Sequence, residues 1–368
     1  MIRQQSGAQH ITVVVNDMKP YGSQRVTMML VQSLVAEGHE ISLLTLEPPS
    51  SEELPLPDGV RRVPLHRPSV GGAAAFLVSV FSVARVLRRL HPDLVISHMV
   101  LSNVTVLAAA RLLLQPPRIL VTEHNSVRNL LLERSPRALE FLARRLYPRA
   151  YRVLGVSPGV VEEVRSFYGL EADRVVCVWN PLDAPKIRVD AAASLIHPWL
   201  PSSAERTTVV CVAALRQVKG HDVLLRSLVE VPSVDLICVG DGPLMTEYCQ
   251  LARDLGVAER VDFVGYQENS AAFISRSDAL VMPSRWEGFG LVAAEAAAVG
   301  VPVIAADVLG VHDLIPSRVP GLLYSPENPE ALASALRLLV EGGLKTGETD
   351  LSDFAPDATA ARYLAAAR

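Results

Sequence analysis

Short runs of β-branched and apolar residues alternate along the chain with longer segments in which apolar positions recur every three or four residues. HITVVV, from His10, is a continuous apolar run, and after the loop NDMKPYGS the residues Val26, Met29, Leu30 and Leu34 step at helical spacing until Gly38 offers a stop. EISLLTL is the next strand. DLVIS (93–97), RILVT (118–122), YRVLGV (151–156) and RVVCV (174–178) continue the series, separated by segments long enough for helices. Continuous apolar strands alternating with helices predict α/β architecture, a parallel sheet covered on both faces.

The pattern breaks after Asn180. PLDAPKIRVDAAASLIHPWLPSSAERT carries four prolines and little periodicity, which suggests an inter-domain connection. A second alternating series follows, with TTVVCV, VDLICVG, RVDFVG, ALVMP and VPVIAA as strands. The expected organisation is therefore a Rossmann-like doubly wound domain over 1–182, a linker over 183–206 and a second Rossmann-like domain over 207–350. A last helix over 351–368 is expected to cover either domain, including a crossing back to the first. Two such domains facing each other would put a ligand cleft at the carboxyl ends of their strands.

At 368 residues, 49% hydrophobic and 20% charged, the composition is that of a soluble chain of about two domains. A formal net charge of −4 gives no general attraction to nucleic acid, and no nucleic-acid partner is expected. Cys177, Cys211, Cys238 and Cys249 form no C-x-x-C pair and suggest structural thiols. The longest apolar stretch, from Gly71, is broken by Ser79, Ser82 and Arg85 and falls short of the roughly 20 residues that span a bilayer, so a buried helix is expected there. The amino-terminal residues lack the form of a secretory signal, and a cytoplasmic location is expected.

Candidate chemistry concentrates in SRWEGFGLVAAEAAAVGVPVIAA, residues 284–306. ALVMP supplies a strand, SRWEGFG a loop and LVAAEAAAVG a helix closed by Gly300. Glu287 then lies in the loop and Glu295 in the second helical turn. Even if all nine residues were helical, the two carboxylates would be about 80° apart around the axis. That is no catalytic dyad; it suits contacts with different parts of one extended ligand. Gly288 and Gly290 allow close backbone approach, and the helix start offers amide donors. A capped helix carrying a surface glutamate would have the same local sequence.

PSRWEGFGLVAAEAAAVGVPVIA resembles the E-x7-E signature of the retaining glycosyltransferases of family 4, which have the GT-B fold and use nucleotide-sugar donors. GYQENSAAFISRSDALVMPSRWEGFG, VGDGPL (239–244), VKGHDVLL (218–225), PGLLYSPENPEALASAL and YGSQRVTMMLVQSLVAEGHEISLLTL follow in family order, so the resemblance covers nearly the whole chain. It implies a retaining transferase that moves a hexose-type sugar from a nucleoside-diphosphate sugar to a hydroxyl of a saccharide or lipid-linked saccharide. By resemblance Glu287 accepts donor-sugar hydroxyls and Glu295 holds the ribose, a role suited to a carboxylate accepting from a vicinal diol. Gly288, Phe289, Gly290 and Leu291 would line the sugar pocket, with Gly242, Gly265 and Tyr266 elsewhere around the donor.

A departing diphosphate accumulates negative charge that fixed cations or a metal must stabilise. No D-x-D occurs in the chain, so side-chain cations are expected, with no metal and no cofactor besides the nucleotide-sugar co-substrate. Lys219, one of four lysines beside 31 arginines, matches the family's phosphate-binding lysine. Where the family commonly has an arginine this chain has Ala214, and Arg216 is the expected substitute. Near the amino terminus Tyr21 and Gly22 replace a glycine pair; Gly22 and Ser23, the latter expected as an N-cap, would form an anion nest. His124 matches the family's active-site histidine, His98 ends the preceding strand, and Asn180 is expected at the hinge.

The acceptor is less legible. Residues 128–152 carry seven arginines against two glutamates with leucines interleaved, which suits an anionic membrane surface as well as a solvated helix face. A nucleotide-sugar epimerase of the same fold, or a donor-binding protein impaired by Ala214 and Tyr21, are the alternatives. No G-x-G-x-x-G follows the first strand, which disfavours a dinucleotide dehydrogenase.

Overall fold

The computed structural model describes residues 7–19, 22–51, 53–63, 65, 72–129, 137–202, 206–315, 317–344 and 349–368. Tyr21 and part of the arginine-rich segment lie outside them. The chain divides into two compact units, one of residues 1–181 with 353–368 and one of residues 182–352.

In the first unit seven strands lie in the order β3-β2-β1-β4-β5-β6-β7, all parallel. They are β1 (His10–Val15), β2 (Glu40–Thr45), β3 (Val60–Val63), β4 (Leu94–His98), β5 (Arg118–Glu123), β6 (Arg152–Gly155) and β7 (Val175–Cys177). Every residue of β4 is buried, as the unbroken apolar run requires of a central strand covered on both faces. Helices α1 (Gly22–Ala36), α2 (Gly72–Leu90), α3 (Val100–Ala110), α4 (Arg137–Leu146) and α5 (Pro158–Tyr168) follow β1, β3, β4, β5 and β6. The apolar stretch expected to be a buried helix is α2, and that expectation needs correction. Ala75, Ser79, Val83 and Leu87 are buried, but Leu77 and Phe81 are 54% and 62% exposed, because a 3.6-residue period turns part of an all-apolar segment to solvent. No helix among the described residues is long and apolar enough to cross a membrane.

The second unit holds a six-stranded parallel sheet, β10-β9-β8-β11-β12-β13. Its strands are β8 (Thr207–Val212), β9 (Val234–Val239), β10 (Val261–Gly265), β11 (Ala279–Met282), β12 (Val303–Ala306) and β13 (Gly321–Tyr324). The described residues of 183–206, expected as an inter-domain linker, group with this unit. Asp183 accepts the Lys186 amide at 3.0 Å and starts helix α6 (Ala184–Ala191). Pro185 falls in the first turn, where the missing N–H costs nothing, so the prolines that suggested a linker start a helix. Asn269 Nδ2 donates to Asp190 O at 2.6 Å and Arg276 to Ala191 O at 2.9 Å, fastening the segment down. The remaining helices are α7 (His221–Ser227), α8 (Met245–Asp254), α9 (Ala271–Ile274), α10 (Leu291–Ala298), α11 (Val311–Leu314) and α12 (Pro329–Val340).

The last helix, α13 (Pro356–Ala366), packs on the first unit. Tyr363 lies in the core with Leu30, Leu34 and Leu120, its hydroxyl 3.2 Å from Thr122 Oγ1, and Phe354 meets Trp179 edge-on.

Candidate functional site

The second sheet reverses its order between β8 and β11: from β8 the chain builds outward to β9 and β10, from β11 to β12 and β13. Loops leaving neighbouring strands on opposite windings diverge, and open α/β sheets bind ligands in the crevice this leaves. The loop after β8 carries Lys219 and the loop after β11 carries Glu287. Their side chains meet, Lys219 Nζ lying 2.5 Å from Glu287 Oε1, and Ser284 Oγ donates to the same oxygen at 2.8 Å.

Backbone contact brings the two loops this close. Arg285 N donates to Val218 O at 2.8 Å. Gly220 has φ +67 and stands so near Pro283 that a Cβ would lie 1.9 Å from the Pro283 carbonyl oxygen. Only glycine fits that contact. Arg285 then clasps Asp222 through two hydrogen bonds of 3.0 and 2.8 Å and reaches Glu327 at 3.2 Å. Burial opposes ionisation of Asp222, yet the Arg285 hydrogen bonds and charge outweigh it and hold the carboxyl below its ordinary range. Ser284, Arg285 and Asp222 escaped sequence reasoning. Asp222 and Arg285 stand far apart in sequence, and no local pattern announces their pairing.

Helix α10 begins after Gly290, whose φ is +83. Its alanines pack inward, and half-buried Glu295 is its one charged residue. Phe289 is 2% exposed, so its ring belongs to the core and the ligand face it was expected to line would be formed by backbone. Gly242 packs backbone to backbone: a Cβ there would lie 2.5 Å from Leu215 O. Gly265 ends β10, and Tyr266 follows it, 58% exposed. Arg216 is exposed, and its side chain has no hydrogen-bond partner among the described residues; Ala214 beside it is exposed too. Among the described residues no group of three or more His, Cys, Asp or Glu could hold a metal ion. Cys211 and Cys238 are buried free thiols, both pushed up by burial.

In the first unit the sheet reverses between β1 and β4. Helix α1 already includes Gly22 and Ser23, so Ser23 is no N-cap: its hydroxyl donates to Gln24 Oε1 at 2.7 Å. His98, the last residue of β4, and His124, just past β5, are both buried, with His98 Nδ1 2.8 Å from His124 Nε2. Burial lowers both imidazoles, His124 to about 4; the charge of His124 adds to the effect on His98, while the Asn180 side chain beside His124 works against it. Neutral rings share one proton along this hydrogen bond, one donating and the other accepting. Met99, next to His98, has φ 73 and ψ 144, a conformation costly for a residue with a Cβ and found at the mouth of the switch point. Behind His124 the buried Glu123 accepts from Asn103 Nδ2 at 2.9 Å and from the Tyr147 hydroxyl. Burial pushes its carboxyl up to about 7 despite both donors.

Arg144, counted among the surface cations of the arginine-rich segment, is exposed but already engaged, with Nε donating to Glu140 Oε1 at 3.0 Å. Its guanidinium lies 3.8 Å from the centre of the Phe167 ring and donates to Phe167 O.

Comparison with known proteins adds to this geometry. The model of the family described as Glycosyl transferases group 1 matches residues 196–351, and that of Glycosyltransferase Family 4 matches residues 20–185. The chain is 32% identical over 241 residues to a D-inositol 3-phosphate glycosyltransferase of Rhodococcus erythropolis, covering 61% of this chain and 52% of the relative. It is 33% identical over 172 residues to a GDP-mannose-dependent alpha-(1-6)-phosphatidylinositol monomannoside mannosyltransferase of Mycobacterium tuberculosis, covering 43% of this chain and 45% of the relative. The matches thus span about half the length of these curated relatives. Sucrose-phosphate synthase from Thermosynechococcus elongatus shares the fold with a TM-score of 0.78 at 21% identity, covering 98% of this chain and 96% of that one.

Proposed function

Because the chain belongs to the group 1 and family 4 glycosyltransferases of GT-B fold, we propose that it moves a hexose-type sugar from a nucleoside-diphosphate donor to an acceptor hydroxyl with retention of configuration. The observation that carries this reading is the Lys219–Glu287 pair at the switch point of the second sheet. An ammonium group has three donors. Lys219 can therefore keep Glu287 and still offer an N–H to the departing diphosphate, while the second Glu287 oxygen accepts from sugar hydroxyls. Glu295, on α10, is assigned to the ribose.

In the proposed step the acceptor oxygen bonds to the anomeric carbon on the face that the diphosphate leaves. The carbon–oxygen bond to the diphosphate breaks, and the leaving group takes the acceptor's proton. Lys219, together with Arg216, stabilises the charge that develops, and no metal is required. By resemblance His124 is assigned an active-site role.

Two relatives are named for inositol-bearing compounds, one of them a lipid, which supports a saccharide or lipid-linked acceptor. Peripheral attachment through the exposed arginines of residues 137–152, from the cytoplasmic side, is part of this proposal. A donor-binding protein with impaired turnover is the second reading, favoured by exposed Ala214 where the family pattern has an arginine. The test is a nucleotide-sugar panel screened for thermal stabilisation, followed by acceptor-dependent release of nucleoside diphosphate. Stabilisation with no release for any acceptor would favour the second reading; no stabilisation would refute both.

A further inference from the structure

We propose that an arginine-lined cavity at the amino-terminal edge of the first unit's sheet binds a phosphate-bearing anion. The cavity has a volume of about 740 Å³ and is lined by Arg111, Arg118, Arg149, Arg152 and Arg174. Arg118 opens β5, Arg152 opens β6, and Arg174 directly precedes β7. His98 and His124 stand at the other end of these strands. Six residues of β5 separate the two ends by about 20 Å at the usual rise.

Strand register aims the cations together. Leu120 pairs with Arg152, and Arg118 lies two residues before Leu120, so both arginines leave the same face of the sheet. Their guanidinium carbons lie 5.2 and 5.9 Å from the centre of one ring, that of Tyr151. Like charges gathered this closely repel. Among the described residues none of the five arginines forms an ion pair, and Asp173 is the single acid in the lining. Overall composition does not explain such a cluster, since acids outnumber bases in the chain.

Carbonyl groups hold several of these side chains in place. Arg118 donates to Ala367 O at 2.6 Å, Arg174 to Ala150 O at 2.6 Å, and Arg149 to Arg145 O. A guanidinium has five donors, so each keeps N–H groups in reserve. Arg111 and Arg152 make no side-chain hydrogen bond among the described residues. Pre-oriented guanidinium forks around a space of this size match the geometry of phosphate oxygens, which they bind in pairs. A free diphosphate or phosphorylated sugar and the phosphodiester of a lipid headgroup share this chemistry.

Two probes distinguish the sources. Inorganic pyrophosphate is titrated calorimetrically in a Lys219→Met/Arg216→Gln background, so that the second unit's cations are not read, and binding to phosphatidylglycerol vesicles is compared with binding to phosphatidylcholine vesicles. Each is measured with and without Arg111→Gln/Arg152→Gln. A free anion predicts that pyrophosphate affinity falls at least about tenfold in the double variant. A lipid phosphate predicts the same fall for phosphatidylglycerol vesicles, with no binding of pyrophosphate. Arg111→Lys/Arg152→Lys, which keeps the charge but loses the paired guanidinium donors, should weaken binding measurably but less than the glutamine variant, and it reads the site even if the glutamine variant misfolds. The proposal is overturned if the parent protein binds neither probe, or if the glutamine variant, with an unchanged melting temperature, binds both as the parent does.

Discussion

Lys219 and Glu287 form an ion pair, Nζ to Oε1 at 2.5 Å, between two loops that leave adjacent strands and lie 68 residues apart in sequence. The pair couples the group assigned to the leaving phosphate to the group assigned to the sugar. A double-mutant cycle of Lys219→Met and Glu287→Gln, read by denaturant unfolding, should give a coupling energy of about 1 kcal/mol for this partly buried pair. Additivity within about 0.3 kcal/mol would show that the two charges do not meet in solution.

Gly220 sets how near the loops come. Gly220→Ala should cost roughly 2 kcal/mol or more and abolish sugar transfer, because a Cβ would meet the Pro283 carbonyl at 1.9 Å. Gly300→Ala is the control, with φ +77 but open space around the added carbon, and should cost only about 1 kcal/mol of backbone strain. Equal losses at the two positions would make backbone dihedral strain the whole cause and remove the close approach from the account.

Glu123 gives the first unit a signature in pH. Its folded value of about 7 lies above the ordinary 4.5, so its favourable contribution is complete below about pH 4.5 and is lost as pH rises to about 7. Above that the buried carboxylate is a net cost of roughly 3 kcal/mol. Glu123→Gln keeps an oxygen for Asn103 and Tyr147 but cannot ionise. Its melting temperature should exceed that of the parent protein at pH 8, with the advantage shrinking toward pH 5. Parallel curves across that range would contradict the assignment.

His98 and His124 should stay neutral through the physiological range. Burial holds His124 near 4 and His98 well below its ordinary value, so stability contributed by the neutral rings is present above about pH 6.5 and declines as pH falls toward 4. If the His124 ring takes part in transfer, the acid limb of kcat/KM should lie below pH 5. An acid limb near 6.5 that disappears in His124→Asn would show a solvent-exposed imidazole instead.

The parallel sheets were legible because a strand buried on both faces needs an unbroken apolar run, as in DLVIS and TTVVCV, and little else produces one. Lys219 and Glu287 were legible by resemblance, each following a recognisable strand. Their mutual contact was not. It depends on the order β8-β11, set by how helices pack and invisible in any window of sequence. Helix α6 was missed because its eight residues, Ala184–Ala191, are too few to display a period, and prolines that start a helix look like those that interrupt one. The home of α13 was open for a similar reason: an amphipathic helix announces a buried face without naming what covers it. Ser23 reads as a cap in the sequence, but it already lies in the helix, as does Gly22 before it.

Whether the second unit holds a nucleoside-diphosphate sugar through Glu295 and the Lys219–Glu287 loops is decided by calorimetric titration of GDP and UDP. The titration is run with EDTA present, comparing the parent protein with Glu295→Ala. One nucleotide should bind the parent in EDTA, and Glu295→Ala should weaken it by roughly 1.5 to 3 kcal/mol, the range for hydrogen bonds to a charged group. Binding that appears only when manganese or magnesium is restored, or an unchanged affinity in Glu295→Ala, would contradict it.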